Sequence, residues 1–300
     1  MKNVLVTGGT VFVSKYVAQY YVQKGYHVTV LNRNTKAQPE NVTLIQADRN
    51  NLGKFLHYNH FDIIFDITAY TADDINDLLD SVGSFDDYIM ISSSAVYPEY
   101  ETQPFTENTK TDVNKYWTQY GTDKINAEKA LLNRVPNAYI LRPPYLYGPM
   151  NNLYREAFIF ECAQKEREFY IPKDGNMQLQ FFHVEDLCRF MDRIIEVKPD
   201  QHIFNVGNKK TVSIREWVSL CYKAAGKEPV FRNVYHDIFP RKYFSFGDYQ
   251  YILDVTEQEK LMPQTKTMEE GLKESFEWYI SHFDEVERND LIEFIDKNLR

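Results

Sequence analysis

Asn3-Val-Leu-Val-Thr7, Gly8-Gly9-Thr10, an amphipathic run from Lys15 to Lys24 stopped by Gly25, and then His27-Val-Thr-Val-Leu31 form the stretch that decides the fold. A short apolar strand, a glycine turn, a helix and a second strand make a β-turn-α-β unit of about thirty residues, the way a dinucleotide-binding fold begins. Outward from it, buried strands are predicted at 43–46, 62–67, 88–92 and 138–142, and helices at 72–82 and 120–133. Strands that alternate with helices in this way predict an α/β protein, a Rossmann-type doubly wound parallel sheet covered by helices on both faces.

The first turn departs from the phosphate-binding fingerprint. Glycine is wanted where the chain turns, where the backbone nears the pyrophosphate and where helix packs on strand. Those places hold Gly8, Val11 and Ser14. Ser14 is small enough for close packing, whereas Val11 sets a branched Cβ near the phosphate path. The helix N-terminus still offers free N–H groups, so Gly8, Thr10, Val11, Phe12 and Val13 are cofactor-binding candidates. After the second strand, where an acid often holds the adenosine ribose, stand Asn32 and Arg33. A missing carboxylate and an adjacent guanidinium favour a 2′-phosphate, so NAD(P) is the expected cofactor with a lean to NADP. Asp48, after the third strand, is a candidate acceptor for the adenine amino group, or else a turn residue.

Tyr120-Gly-Thr-Asp-Lys124 places a phenol and an ammonium four residues apart in a helical run, on one face about 1.1 turns apart. A lysine beside a cleft tyrosine favours the phenolate, which can take a proton from an alcohol or sugar hydroxyl. With 22 tyrosines in the chain, such a spacing also arises by chance, and it needs partners.

Composition sets the outer limits. The chain has 300 residues, 43% apolar and 26% charged, enough for one large α/β domain or a nucleotide-binding domain with a smaller lobe. The boundaries expected are 1–150 with about 176–206 for the dinucleotide-binding domain, and about 151–175 with 207–300 for the substrate lobe. A net charge of −9 argues against a nucleic-acid backbone as main partner. The 15% aromatic content reads chiefly as core packing. Cys162, Cys188 and Cys221 are odd in number and lack metal-ligand spacing, no signal peptide is recognised and no apolar run suits a bilayer, so a reducing cytoplasm fits best. His183 reads as structural, no metal is expected, and Asp186 reads as the cap of the helix that follows.

Taken together, Thr7-Gly-Gly-Thr10, Ser92-Ser-Ser-Ala-Val-Tyr97, Tyr120-x-x-x-Lys124, Leu141-Arg-Pro-Pro-Tyr-Leu-Tyr-Gly-Pro149, Gln180-Phe-Phe-His-Val-Glu-Asp186 and Phe204-Asn-Val-Gly207 resemble the extended short-chain dehydrogenase/reductases. Within these the chain is similar to the NAD(P)-dependent epimerase/dehydratase family, over nearly its whole length. The resemblance implies Ser93 as the active-site hydroxyl, Tyr120 as the base, and Lys124 as its partner and a ligand of the nicotinamide ribose. It places Pro143 and Tyr145 beside the nicotinamide, and a small-molecule substrate, a sugar nucleotide or related hydroxyl compound, between the lobes. Asn152, Arg155, Gln180 and Arg241 are the polar candidates for substrate or phosphate contact, alongside Ser93. Ser94-Ala95 stands where dehydratases of the family carry an acid/base pair, which favours epimerisation or reduction. Family members often dimerise through the Tyr-Lys helix, so a homodimer is an option, with Ile125 and Leu132 on the helix's outer face. The non-glycine at 11 and the Asn-Arg pair also resemble an atypical branch that includes relatives of chloroplast stem-loop RNA-binding proteins. That branch supplies a second expectation, a non-catalytic dinucleotide-binding redox sensor or RNA-associated protein.

Overall fold

In the computed structural model, which describes residues 1–247 and 249–300, β1 (Asn3–Thr7) leads through the glycine turn to α1 (Phe12–Gln23), β2 (His27–Asn32) and β3 (Val42–Gln46). Then come β4 (His60–Asp66), α2 (Ala72–Ser81), β5 (Ser84–Ile91), α3 (Thr118–Arg134) and β6 (Tyr139–Arg142). Beyond lie β7 (Tyr145–Tyr147), α4 (Glu156–Gln164), β8 (Phe169–Pro172), β9 (Gln178–Leu179), β10 (Phe181–His183), α5 (Val184–Val197) and β11 (Ile203–Asn205). The chain finishes through β12 (Val212–Ser213), α6 (Ile214–Ala224), β13 (Phe231–Val234), α7 (Thr256–Leu261), α8 (Met268–Ser281) and α9 (Leu291–Asn298). Among the described residues no helix is long and apolar enough to cross a membrane.

Among the described residues, seven parallel strands form the main sheet in the order β3-β2-β1-β4-β5-β6-β11. The order reverses between β1 and β4, which opens a crevice at the carboxyl ends of those strands. Both faces are buried because successive side chains point to opposite sides. Val4, Val6, Ile63 and Phe65 pack with Val17, Ala18 and Tyr21 of α1 and Leu187 and Met191 of α5. Leu5, Ile64, Met90 and Ile140 pack with Ile75 and Leu78 of α2 and Ala127 and Leu131 of α3. β5 begins at Ser84, earlier than the sequence suggests, because its first residues are polar and only its second half is buried.

A second core, largely aromatic, lies beyond the sheet, with Phe158 and Phe160 of α4, Phe169 of β8, Trp217 and Tyr222 of α6 and Tyr279 of α8. The Phe181 ring stacks on Trp217 at 3.6 Å between centroids. β10 pairs with β7 in a separate two-stranded sheet, whose Tyr147 and Phe181 belong to this core. The N-cap of α5 is His183, whose ring accepts from the Glu185 N–H. Asp186 does not cap the helix: its carboxylate takes the Lys266 N–H (2.7 Å) and the Arg189 guanidinium (2.8 Å), tying α5 to the segment before α8. Between α8 and α9 the chain returns across the molecule. The Glu287 N–H bonds the Asn152 carbonyl, and Glu285 and Glu287 pair with Lys15 and Lys36. On α3, Ile125 belongs to the core around Val96 and Phe105, and Leu132 packs toward the α2/α3 core. Apart from Tyr120, the residues α3 exposes are polar, Gln119, Asn126, Lys129 and Asn133 among them.

Candidate active site

Glycine is required at the first turn. Gly8 has φ +89°, and a Cβ there would come within 2.8 Å of the Ser14 hydroxyl and 2.9 Å of Thr68. The Asn32 amide donates to the Gly8 carbonyl (2.6 Å) and to Gln38, so this side chain braces the turn. Val11 is the extended N-cap of α1 and gives no side-chain cap, while the Ser14 hydroxyl bonds the Val11 carbonyl at 2.9 Å. Helical bonding starts with Lys15 N–H to Val11 O, which leaves the N–H groups of the first turn as donors at the helix end. Val11, Phe12 and Val13 line a cleft of about 630 Å³. The free N–H groups of this helix N-terminus, at a cleft wall of Val11, Phe12 and Val13, fit the phosphates of a dinucleotide, and the Val11 side chain narrows the space for them.

The same cleft is lined by Ser93, Tyr120, Lys124, Pro143, Tyr145, Asn152 and Arg155. Ser93 precedes a 3-10 turn, Ser94–Val96, and accepts from the Ala95 N–H at 3.2 Å. Gly121 lets α3 reach this turn, since a Cβ on it would lie 2.5 Å from the Ala95 carbonyl. Asn114 joins the two from the other side. Its amide donates to the carbonyls of Ala95 (2.6 Å) and Tyr97 (3.1 Å), and its oxygen accepts from the N–H of Trp117 at the start of α3. These contacts bring Tyr120 into hydrogen-bonding reach of Ser93.

Burial raises the Tyr120 phenol above its ordinary value; the Ser93 hydrogen bond and the Arg155 charge pull it back, and Tyr70 pushes it further up. Lys124 does not act on it in the expected way. Its ammonium is buried and donates to the carbonyls of Ala69 (2.6 Å) and Ile91 (2.9 Å), beneath the Tyr70 ring at 4.8 Å. Burial pushes its pKa down to about 8, against the pull of the Asp66 and Glu128 carboxylates. The expectation that Lys124 lowers the tyrosine pKa is therefore corrected: in this structure the ammonium is engaged by backbone, and Ser93 and Arg155 are the groups that favour the phenolate.

Two buried ion pairs hold these elements. Asp66, at the end of β4, takes hydrogen bonds from Thr7 (2.7 Å), Tyr88 and both terminal nitrogens of Arg49 (2.6 and 2.7 Å), which keep its carboxyl below the usual range against burial. Arg49 also meets Asp74 at 3.2 Å, and Asp74 accepts from the N–H groups of Tyr70 and Thr71. On the far side, Glu128 of α3 receives Arg142 of β6 through two nitrogens (3.0 and 2.6 Å) and the Ser92 hydroxyl. Arg142 continues to Tyr97, and Tyr97 to Asn205 of β11.

The other candidates fall into three groups. Asn152 and Arg155 face the cleft; the Asn152 side chain is buried with its oxygen unpartnered, and the Arg155 guanidinium lies 5.2 Å from the Tyr145 ring. Gln180 is buried and bonds the backbone of Asn208 and Leu253, so it joins segments and does not line the cleft. Arg241 sits over the Trp117 ring at 5.8 Å and lines a neighbouring cavity. Gly8 and Thr10 lie within the turn, Arg33 is exposed, and the Asp48 carboxylate accepts from the Asn50 N–H; these do not line the cleft, and neither does Asn32. The sequence reading missed Thr68, Tyr70, Trp117 and Tyr251, which do line it. The end of the strand beside β1 was the available signal for the first two, because ligands gather where strand order reverses. His183, Glu185 and Glu274 come together, and Lys266 bonds both carboxylates, placing an ammonium where a cation would go.

Comparison with known proteins places the chain. The profile of the NAD dependent epimerase/dehydratase family matches residues 4–207. The chloroplast stem-loop binding protein of 41 kDa b of Arabidopsis thaliana is 25% identical over 92% of this chain and 78% of its own length. A trifunctional UDP-glucose 4,6-dehydratase/UDP-4-keto-6-deoxy-D-glucose 3,5-epimerase/UDP-4-keto-L-rhamnose-reductase of the same plant is 23% identical over 93% of this chain, which spans about half (47%) of that protein. Among solved structures, UDP-glucose 4-epimerase of Thermotoga maritima with UDP-glucose superposes with a TM-score of 0.75, 21% identity and 94% and 99% of the two chains covered. UDP-glucuronic acid 4-epimerase of Bacillus cereus with NAD gives 0.72, 18%, 93% and 99%. At these identities the solved structures speak for the fold.

Proposed function

The chain belongs to the NAD dependent epimerase/dehydratase family, and on that premise we propose that it is an NAD(P)-dependent epimerase or oxidoreductase acting on a sugar nucleotide or related hydroxyl compound. The observation that carries this reading is the Ser93–Tyr120 hydroxyl pair, with Lys124 beside it, on the wall of the cleft that Val11, Phe12 and Val13 at the start of α1 also line. Ser93 holds the substrate oxygen by a hydrogen bond, and Tyr120 takes the hydroxyl proton and returns it. Arg155 stabilises the charge that Tyr120 acquires, and Asn152 presents its unpartnered oxygen to a substrate hydroxyl. The first-turn N–H groups of α1 hold the phosphates, and the N–H of Lys124 that Ala69 and Ile91 leave over bonds a ribose hydroxyl. A nicotinamide nucleotide bound there would accept and give back the hydride.

Residues 1–150 with about 176–206 then form the cofactor domain, and the remainder the substrate lobe. A lean to NADP follows from the exposed Arg33 and the absence of an acid at Asn32. The test is titration of the protein with NAD and NADP by fluorescence or calorimetry, with Tyr120→Phe alongside. Binding retained and turnover lost by the variant is the expected result, and no signal from either nucleotide at millimolar concentration rejects the reading.

The stem-loop binding relative favours a second reading, an RNA-associated or sensor protein without chemistry. Its RNA form has to overcome the net charge of −9 and predicts RNA retention that falls steeply with salt. No retention at low salt removes it.

A further inference from the structure

Lys124 presents three N–H donors. Two are engaged by carbonyls at the ends of neighbouring segments, Ala69 after β4 and Ile91 of β5. On the cleft side lies the ring of Tyr70, its centroid 4.8 Å from the ammonium nitrogen, a cation–π contact. The ring is half exposed, lines the cleft and stands 6.3 Å from the Tyr120 ring. A hydroxyl that bonds Lys124 from the cleft needs the donor the ring covers.

The backbone under this ring is fixed. The Tyr70 N–H is held by the Asp74 carboxylate at 2.8 Å, Asp74 is paired with Arg49, and the Thr7 hydroxyl accepts the N–H groups of Ile67 and Thr68. Movement is left to the Tyr70 side chain, which has the open cleft to turn into. Arg49 immediately follows Asp48, so the clamp on this loop comes from the turn that closes the β3 side of the sheet.

We infer that Tyr70 is a cover for Lys124, a residue that sets the affinity of the cleft for hydroxyl-bearing ligands: its ring lies over the cleft-side donor and turns away when a ribose or sugar hydroxyl takes that donor. The identity of the ligand rests on the function proposed above; the cover itself does not. Tyr70 is a positioning residue in this account, since it reaches the chemistry only through Lys124.

Reductive methylation with formaldehyde and cyanoborohydride, read lysine by lysine by peptide mass spectrometry, tests the cover without any nucleotide. Lys124 is expected to react about fivefold faster in Tyr70→Ala than in the wild type, while Tyr70→Phe, which keeps the π face, stays near the wild-type rate. In parallel, Tyr70→Ala is expected to bind NAD or NADP about fivefold more tightly by calorimetry, because no ring has to leave the ammonium. Unchanged Lys124 labelling in Tyr70→Ala overturns the inference. Faster labelling with weaker nucleotide binding also overturns it, since the ring then belongs to the ligand's bed. If no form of the protein binds either nucleotide while the labelling contrast persists, the cover stands and the nucleotide reading fails. Should Tyr70→Ala not fold, Tyr70→Leu keeps the bulk, loses the π face and carries the same comparison.

Discussion

Tyr120 enters the cleft with its proton held by burial, and the lysine four residues on has its ammonium turned to the backbone. The Tyr120 pKa therefore lies above the ordinary 10.0, and the protonated phenol predominates at neutral pH. Ultraviolet pH titrations of the wild type and of Tyr120→Phe are expected to coincide through neutrality, and a phenolate signal there that the variant lacks would contradict the raised pKa. Lys124 yields a second expectation, on stability. Its folded pKa of about 8 lies below the ordinary 10.5, so below pH 8 it is charged in both states and folding bears the cost of burying that charge. Between pH 8 and 10.5 the unfolded chain keeps the proton and the folded one releases it, and stability attributable to Lys124 rises with pH. Relative to Lys124→Met, the wild type is expected to gain up to about 3 kcal/mol across that window in denaturant titrations. Of this site, Ser93, Tyr120 and Lys124 were legible because their spacing and flanking motifs are local in sequence. The direction of the Lys124 ammonium was not, because it is set by carbonyls of Ala69 and Ile91, 55 and 33 residues away.

At the scale of elements, α3 owes its approach to a single hydrogen atom. Gly121 faces the Ala95 carbonyl so closely that Gly121→Ala has to push the helix, and Tyr120 with it, off the Ser93 turn. A loss of roughly 1–3 kcal/mol is expected in thermal or urea unfolding, with activity falling further than stability accounts for. The cap of α2 offers a milder change. Thr71 and Asp74 form a capping box, and Thr71→Ala is expected to cost about 1 kcal/mol. β1, β2, β4, β5 and β6 could be read from the sequence because each carries a short buried run, and α1 and α3 because a turn or motif marks their starts; β3 falls where a buried strand was expected, but as the edge of the sheet it has no fully buried residue. The shortest strands could not: β7, β9, β10 and β12 of the lobe and β11 at the sheet's edge have two or three residues each, too few for a period to show. Gln180 was misleading for the same reason, a polar residue in a strand context whose partners, Asn208 and Leu253, lie far along the chain.

Across the whole molecule, the Glu128–Arg142 pair joins α3 to β6 and, through Tyr97 and Asn205, to β11 at the edge of the sheet. Glu128→Ala leaves Arg142 buried without its partner, and a loss of about 3–5 kcal/mol is expected in chemical unfolding. The surface pairs of Glu285 and Glu287 with Lys15 and Lys36 are exposed, and Glu285→Gln with Glu287→Gln is expected to change stability by less than about 1 kcal/mol. The buried pair of Arg49 and Asp66 has a consequence for descent. Either residue lost alone strands the other charge beneath the cleft, so a lineage passing through a single replacement crosses a state of low fitness. Positions 49 and 66 are therefore expected to drift as a unit, and an alignment of relatives should hold both members of the pair or neither.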